Sequence, residues 1–413
     1  MSTETPQPDV DAPTEGGANL KTQRTNKVRV QAEGPPAHAW AGVLLPGLGH
    51  LVTGKWVDGV GLLLNTAVVV WSAVNLPRLV GRLYFPGVPE FAIHPWFALV
   101  AFLASVGVLW WMAISYAKGP KPVDPDEPES QWALVSKQFV KNRVGVLGGY
   151  LVTTMMLLAF LTPFIAPFDP DTIDVGEQFI GPQWDYLMGT DKFGRDVFSR
   201  VMYGGRLSLS IGFIAVFLAG TIGTTVGSIA GYFGGWIDKV LMWFTDLILS
   251  LPRLVLLLAI VGIIQATGPK ALFLLVVILG LTGWMGIARI VRGQVLSLKE
   301  QEFIQAGKAL GLSSGRIILR HLVPNTLAPI IVYASLAIGS TILVEAGLSY
   351  LGLGVPPPTA TWGSIINDGK EAFEDAWWIT VFPGLMIVFA VMSFNLLGDG
   401  LRDALDPKLR GRE

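Results

Sequence analysis

Two stretches of this chain come close to known chemistry, and two isolated charges sit where charge is costly. Gly49, Gly54 and Lys55 have the spacing of a phosphate-cradling loop. Trp56, however, replaces the Ser or Thr that would hold magnesium, and no strand pattern precedes the run. Glycines that let an apolar segment turn account for it. The four histidines (His38, His50, His94, His321) are scattered and form no His-Glu-x-x-His pair, so metal catalysis has no support. The absence of cysteine excludes disulfides, thiolate metal sites and iron–sulfur clusters. The isolated charges are Arg253, just after Pro252, and Glu345, both within apolar runs. Ionisable groups there are candidates for a transport path. Arg253 can pair with Asp246 or snorkel, and Glu345 falls near the external end of its span, within reach of the interface.

The second stretch is polar, basic and patterned, from Glu302 to Asn325. Phe303, Ala306 and Leu310 recur at helical spacing and predict a short helix. Gly311 suits the left-handed position that ends it. Ser313 or Ser314 can cap a second short helix, Arg316 to His321. Pro324 fits the start of the next span, where a missing N–H costs nothing. Two short helices meeting at a glycine hinge form a part that can press on something outside the membrane. An ordinary amphipathic loop would show the same periodicity.

The elements that must hold these residues are membrane helices. The chain is 51% hydrophobic and 15% charged over 413 residues, with mean hydropathy +0.53. That balance fits a polytopic membrane protein rather than a soluble domain. A formal net charge of -1 argues against a nucleic-acid partner. Residues 1–36 are rich in Pro, Gly, Thr and Glu and are expected to form a disordered tail. No apolar core follows a short basic head, so no cleaved signal is expected. The segment 39–52 is too short to span and reads as interfacial or re-entrant; 57–76 and 96–117 make a hairpin, so 37–117 forms one N-terminal membrane unit. A Pro- and acid-rich linker covers 118–130. Residues 131–143 are amphipathic and basic, as in a surface-lying helix. Six spans follow at about 144–167, 207–231, 238–266, 271–291, 326–350 and 379–398. Basic residues gather in the 289–320 loop and the tail, including 410–413, which puts both in the cytoplasm, and Lys21, Arg24, Lys27 and Arg29 before the first apolar stretch put the N-terminus there too. Gly223, Gly227 and Gly231 form a small face for close helix packing within the chain. Trp377 and Trp378 read as interfacial anchors.

Between the first two of these six spans lies Gly189-Thr190-Asp191, then Gly194-Arg195-Asp196 and Ser199-Arg200. Glycine and aspartate suit tight turns, and the charges can pair within the loop. This run is similar to a signature of permeases in the dipeptide, oligopeptide and nickel importer family, specifically the second permease type. So are Gly231-Tyr232-Phe233-Gly234-Gly235, Leu249-Ser250-Leu251-Pro252, Glu345-Ala346-Gly347-Leu348-Ser349 and Asn395-Leu396-Leu397-Gly398-Asp399. The stretch 302–325 resembles the cytoplasmic coupling loop of binding-protein-dependent ABC importers. Gln305-Ala306-Gly307 stands at the Glu-Ala-Ala triplet, Gly311 has the right spacing, and Pro324 closes the pattern. Gln305 and Gly307 depart from it. At Arg253 the family usually carries an uncharged residue.

The resemblance covers about 131–409. It implies an all-α, type I ABC importer permease core of six spans, preceded here by the hairpin, in a prokaryotic plasma membrane. It implies a second permease, two ATPase subunits and an external binding protein, with di- or oligopeptides as cargo and nickel or glycans as the alternative. ATP and magnesium would bind on the ATPases, so this chain is expected to need no cofactor and to catalyse nothing itself. Within the coupling loop the positions carried over are Glu302, Gln305, Ala306, Gly307, Gly311, Arg316, His321 and Pro324. From another class, a secondary transporter or a membrane anchor fits the composition. A secondary transporter should show internal repeats and mid-membrane charges, and no clear repeat is visible.

Overall fold

Long apolar runs can satisfy their backbone in lipid as helices or as strands of a closed barrel, and here they are helices. The computed structural model describes residues 51, 56–74, 107, 131–264 and 269–406. The tail 1–36, the segment 39–50, the second hairpin helix, the linker 118–130 and residues 410–413 lie outside them. In chain order the helices are α1 (Trp56–Val74), α2 (Gln131–Lys141), α3 (Arg143–Ile165), α4 (Val197–Phe233), α5 (Gly235–Leu249) and α6 (Arg253–Ile264). Then come α7 (Pro269–Leu281), α8 (Trp284–Leu298), α9 (Glu302–Ala309), α10 (Ser314–Tyr350), α11 (Trp362–Gly369) and α12 (Trp378–Leu405). No strand occurs among the described residues beyond an isolated bridge between Thr190 and Asp196.

Among the described residues, five helices are long and apolar enough to cross a membrane, counting α7 and α8 together, and six if the bent pair α5–α6 is one span. That pair is bent by 82° at Ser250–Pro252. Proline lacks the N–H that would continue the helix and pushes the preceding residue out of helical geometry. The third expected span is therefore two half-helices.

Two spans are longer than expected. α4 starts at Val197 because Asp196 caps it, its Oδ2 accepting from the Ser199 N–H at 2.7 Å. α10 corrects the expected separation of a short helix at 316–321 from a span at 326–350. Residues Ser314–Ile317 run straight into the span through a π-helical turn at Ile318–Leu322. There the Val323 N–H donates back to the Ile318 carbonyl. Pro324, exposed in the first turn beyond, has no N–H to give, and the widened turn takes up its ring. Ser313 sits at the N-cap position, but its side chain caps nothing. At 37 residues, α4 and α10 each run about 55 Å, against about 30 Å of bilayer hydrocarbon. Both must extend well beyond it.

The small face on α4 packs inside the chain. A Cβ on Gly223 would lie 2.6 Å from the Trp284 carbonyl and one on Gly231 2.9 Å from Val295 Cβ, so α4 and α8 touch backbone to backbone. α1 lies on α3. Gly61 meets the Tyr150 ring, and buried Thr154 donates to Asn65 Oδ1 at 2.8 Å. Asp58 faces Tyr150 as well, with 3.5 Å between its Oδ1 and the phenol oxygen.

Candidate functional site: the turn at Gly311 and the network opposite it

α9 forms over the expected residues, and its ending is explained by two hydrogen bonds around Gly311. Gly311 has φ +78°, its N–H donates to Lys308 O at 3.0 Å, and the Leu312 N–H donates to Gly307 O at 3.1 Å. This is a Schellman ending, and it requires a left-handed residue in that place. Ile304 and Gly307 face inward; Ile304 joins Ile317, Leu322 and Val295 in a shared apolar cluster. The periodic set Phe303, Ala306 and Leu310 faces out instead, with Leu310 84% exposed and Leu319 of α10 73% exposed. Glu302, Gln305 and Arg316 are exposed beside them, and His321 is half-buried.

The turn is braced against the spans. The Gln305 amide donates to Lys299 O at 2.9 Å. Tyr232, near the end of α4, touches both arms: its ring centre lies 5.4 Å from the Lys308 ammonium, and its hydroxyl is 3.4 Å from Ser314 Oγ. Asn325 Nδ2 donates to His321 O at 2.6 Å across the π turn. Arg292 holds Asp238 with two bonds, of 2.5 and 2.6 Å. The exposed part therefore sits on a stiff base made from α4, α8 and α10.

At the other end of α4 lies the loop 168–196. Gly189 (φ +74°) and Gly194 (φ +67°) make its turns. Thr190 is fully buried; its hydroxyl donates to Glu177 O at 2.7 Å and accepts from Ile180 N–H at 2.9 Å. Asp191 accepts from Arg195 Nε at 2.7 Å and lies 3.8 Å from Arg200 Nε. The loop does not close on its own ion pairs alone. Asp368 of α11 draws in Arg195 and Arg200, each at 3.4 Å, and Lys192 at 3.5 Å. Asp368 was missed by sequence reasoning, since nothing local marks a partner more than 160 residues away. Burial pushes the carboxyls of Asp196 and Asp171 above their ordinary values; bonds from Ser199 oppose this at Asp196, and Arg200 opposes it at Asp171. Trp378 is not a free anchor: it is buried, and its Nε1 donates to Thr190 O at 3.1 Å. Trp377 is 46% exposed.

The two charged residues also differ from expectation. Glu345 does not reach an interface. It is completely buried and accepts from Ser208 Oγ at 3.1 Å and Ser349 Oγ at 2.8 Å. Ser208 also accepts from the Trp362 N–H at 3.3 Å, so Glu345 joins α4, α10 and the start of α11. Arg253 does not pair with Asp246, which binds Arg289 at 2.5 Å instead.

Comparison with known proteins accords with this layout. Residues 223–411 match the family described as binding-protein-dependent transport system inner membrane component. Residues 130–182 match the N-terminal transmembrane domain of oligopeptide transport permease C. A dipeptide transport system permease protein of Alkalihalophilus pseudofirmus is 41% identical over 291 residues, 70% of this chain and 94% of that protein. An oligopeptide transport system permease protein of Bacillus subtilis is 39% identical over 281 residues, 68% of this chain and 91% of its own. A glutathione transport system permease protein of Escherichia coli is 38% identical over 290 residues, 70% of this chain and 94% of its own. With a bundle of bilayer-length helices, a helical turn standing out from it and relatives matched over nearly their whole length, the chain belongs to the inner-membrane permease family of binding-protein-dependent ABC importers.

Proposed function

We propose that this chain forms, with a second permease, the membrane path for di- or oligopeptides. In this reading the turn 302–324 seats on one of two ATPase subunits that bind ATP and magnesium. The loop 168–196 faces a substrate-binding protein on the other side, and both termini are cytoplasmic. The observation that carries the reading is mechanical. The exposed apolar face of Phe303 and Leu310 sits on a turn locked by Gly311, tied to α4 through Tyr232 and continuous with α10. A push on that face tilts two spans rather than bending a loop. Switching then needs only that the ATPase bind the turn differently in its two states. Names of the relatives support peptides over nickel or glycans. The test is uptake by the complex reconstituted with its partners and binding protein. Labelled dipeptide should accumulate with ATP and not without it. Accumulation of nickel or a glycan in place of peptide would reassign the cargo.

A further inference from the structure

Two helix interruptions coincide halfway along their spans, and a charged side chain lies between them. The α5–α6 span breaks at 250–252, and the α7–α8 span is interrupted at Thr282 and Gly283. Arg253 is the first residue after the first break, and its guanidinium reaches the second. A Cβ on Gly283 would lie 3.5 Å from Arg253 Nη2 and 3.4 Å from Ala219 Cβ of α4, so the missing side chain of Gly283 makes room for the guanidinium. Just beyond the second break, the hydroxyl of Tyr333 of α10 packs on Gly286 of α8.

Among the described residues the guanidinium has no anion. Its Nε is shut off from solvent without a hydrogen-bond partner, and no ion pair to it forms among the described residues, because Asp246 is taken by Arg289. An unpaired charge at mid-membrane depth is expensive, and non-helical backbone at that depth is tolerated where it lines a cavity or is buried in protein. The side chain is only half-buried, and the elbow beside it is open in the isolated chain, with Leu251, Leu254 and Val255 all exposed.

The geometry points to Arg253 as a carboxylate-recognition site in the transport path, taking the C-terminal carboxylate of a passing peptide. A guanidinium presents a planar fork of donors that fits a carboxylate with two bonds, and every peptide with an unmodified C-terminus carries such a carboxylate. This rests on the peptide reading above. The site is transient by design: an anion held at one arginine, without a second cation among the described neighbours, can be released when the two half-helices move.

The test uses the whole complex in proteoliposomes with its binding protein and ATP. Two labelled probes are compared, a peptide with a free C-terminus and the same peptide as its C-terminal amide, each at a concentration that saturates the binding protein. Arg253→Gln and Arg253→Lys are compared with the native complex. Arg253→Gln should lower uptake of the free acid about tenfold, the range of a lost charge-assisted hydrogen bond. It should leave amide uptake and the level of assembled complex unchanged, and Arg253→Lys should recover part of the loss. An equal fall for both probes, or a fall in assembly, would mean that the anion belongs to the second permease and would overturn the proposal. Unchanged uptake of both would overturn it too. Failure of the native complex to take up either probe would instead remove the peptide reading on which it stands.

Discussion

Leu312 gives its backbone N–H to the carbonyl of Gly307 at 3.1 Å, and that single bond folds the chain back around Gly311. The bond exists only because Gly311 holds φ +78°. Nothing lies within 4 Å of where a Gly311 Cβ would be, so substitution strains the backbone without a clash. Gly311→Ala should cost about 1 kcal/mol in the turn. Gly311→Val should cost more, because a β-branched side chain fits positive φ poorly. The expected outcome for Val is normal assembly in the membrane with ATP-driven uptake lost. Full uptake at normal levels would show that the turn need not be rigid.

The opposite end of α4 is held by charge, and the arrangement separates a buried ion cluster from a surface pair. Asp368→Ala leaves Arg195 and Arg200, both nearly inaccessible, short of an anion. It should destabilise the complex by about 3 kcal/mol, as breaking buried pairs does. Lys192, 42% exposed, should contribute less than about 1 kcal/mol to the same carboxylate. Thermal melting of the purified complex for Asp368→Ala and Lys192→Ala checks the ranking.

Asp196 gives a pH-dependent prediction. Burial raises its carboxyl above the ordinary value, with the bonds from Ser199 opposing. Its Oδ1 is buried without a hydrogen-bond partner. A raised carboxyl pKa means that the folded state holds the proton more tightly than the unfolded chain. The stability this gives is present in full below the unfolded pKa of about 3.9 and is lost as pH rises through the folded value. Asp196→Asn caps as well as aspartate and carries no charge. It should keep or raise the melting temperature at neutral pH, with the gain shrinking in acid. Asp196→Ala should lose the cap, at a cost of about 1 kcal/mol that is largest in acid and is partly offset at neutral pH by removal of the buried charge. An Asn variant less stable than Ala at neutral pH would contradict this.

Much of this architecture is legible from spacing, and the parts that are not share a cause. Gly311, the α9 helix and the α4 small face follow from local rules that a sequence displays directly. The π turn at Ile318–Leu322 does not, because it is a compromise between Pro324 and the continuation of the helix. The ion cluster was half visible: Asp191, Arg195 and Arg200 lie together in sequence, whereas Asp368 arrives only through the packing of α11 on α4 and α12. Trp378 and Glu345 mislead for the same reason, since a residue near the end of an apolar run looks interfacial until another element covers it. Asp58 lies within the 57–76 segment and faces Tyr150, which makes the first hairpin helix part of the bundle rather than a loose addition.

That packing bears on whether the N-terminal region is dispensable. Asn65→Leu or Thr154→Val should each weaken the α1–α3 contact by about 0.6 to 1.7 kcal/mol, the range for hydrogen bonds between membrane helices. A chain begun at Glu127 is expected to insert, bind its partners and transport, at lower abundance. Uptake per assembled complex is the measurement. Normal assembly with no transport would give the N-terminal helices a part in the cycle.

Topology is open to single cysteines in intact cells. Ser2, Ser130, Ser313 and Gly411 replaced by cysteine should resist an impermeant thiol reagent, while Asp171 and Thr359, both exposed, should react. Thr361 is a poor choice for this purpose, since it is fully buried and caps α11. Labelling at Ser2 without labelling at Ser130 would make 39–52 a true span.

The most direct measurement concerns Leu310, the most exposed large apolar side chain on the turn. A photo-crosslinking residue placed there, in the complex assembled with its partners, should form a covalent adduct with an ATPase subunit, in a yield that changes between ATP-bound and ATP-free states. Adducts with lipid or the second permease alone, in both states, would contradict the role of this turn as the link between ATP and the membrane spans.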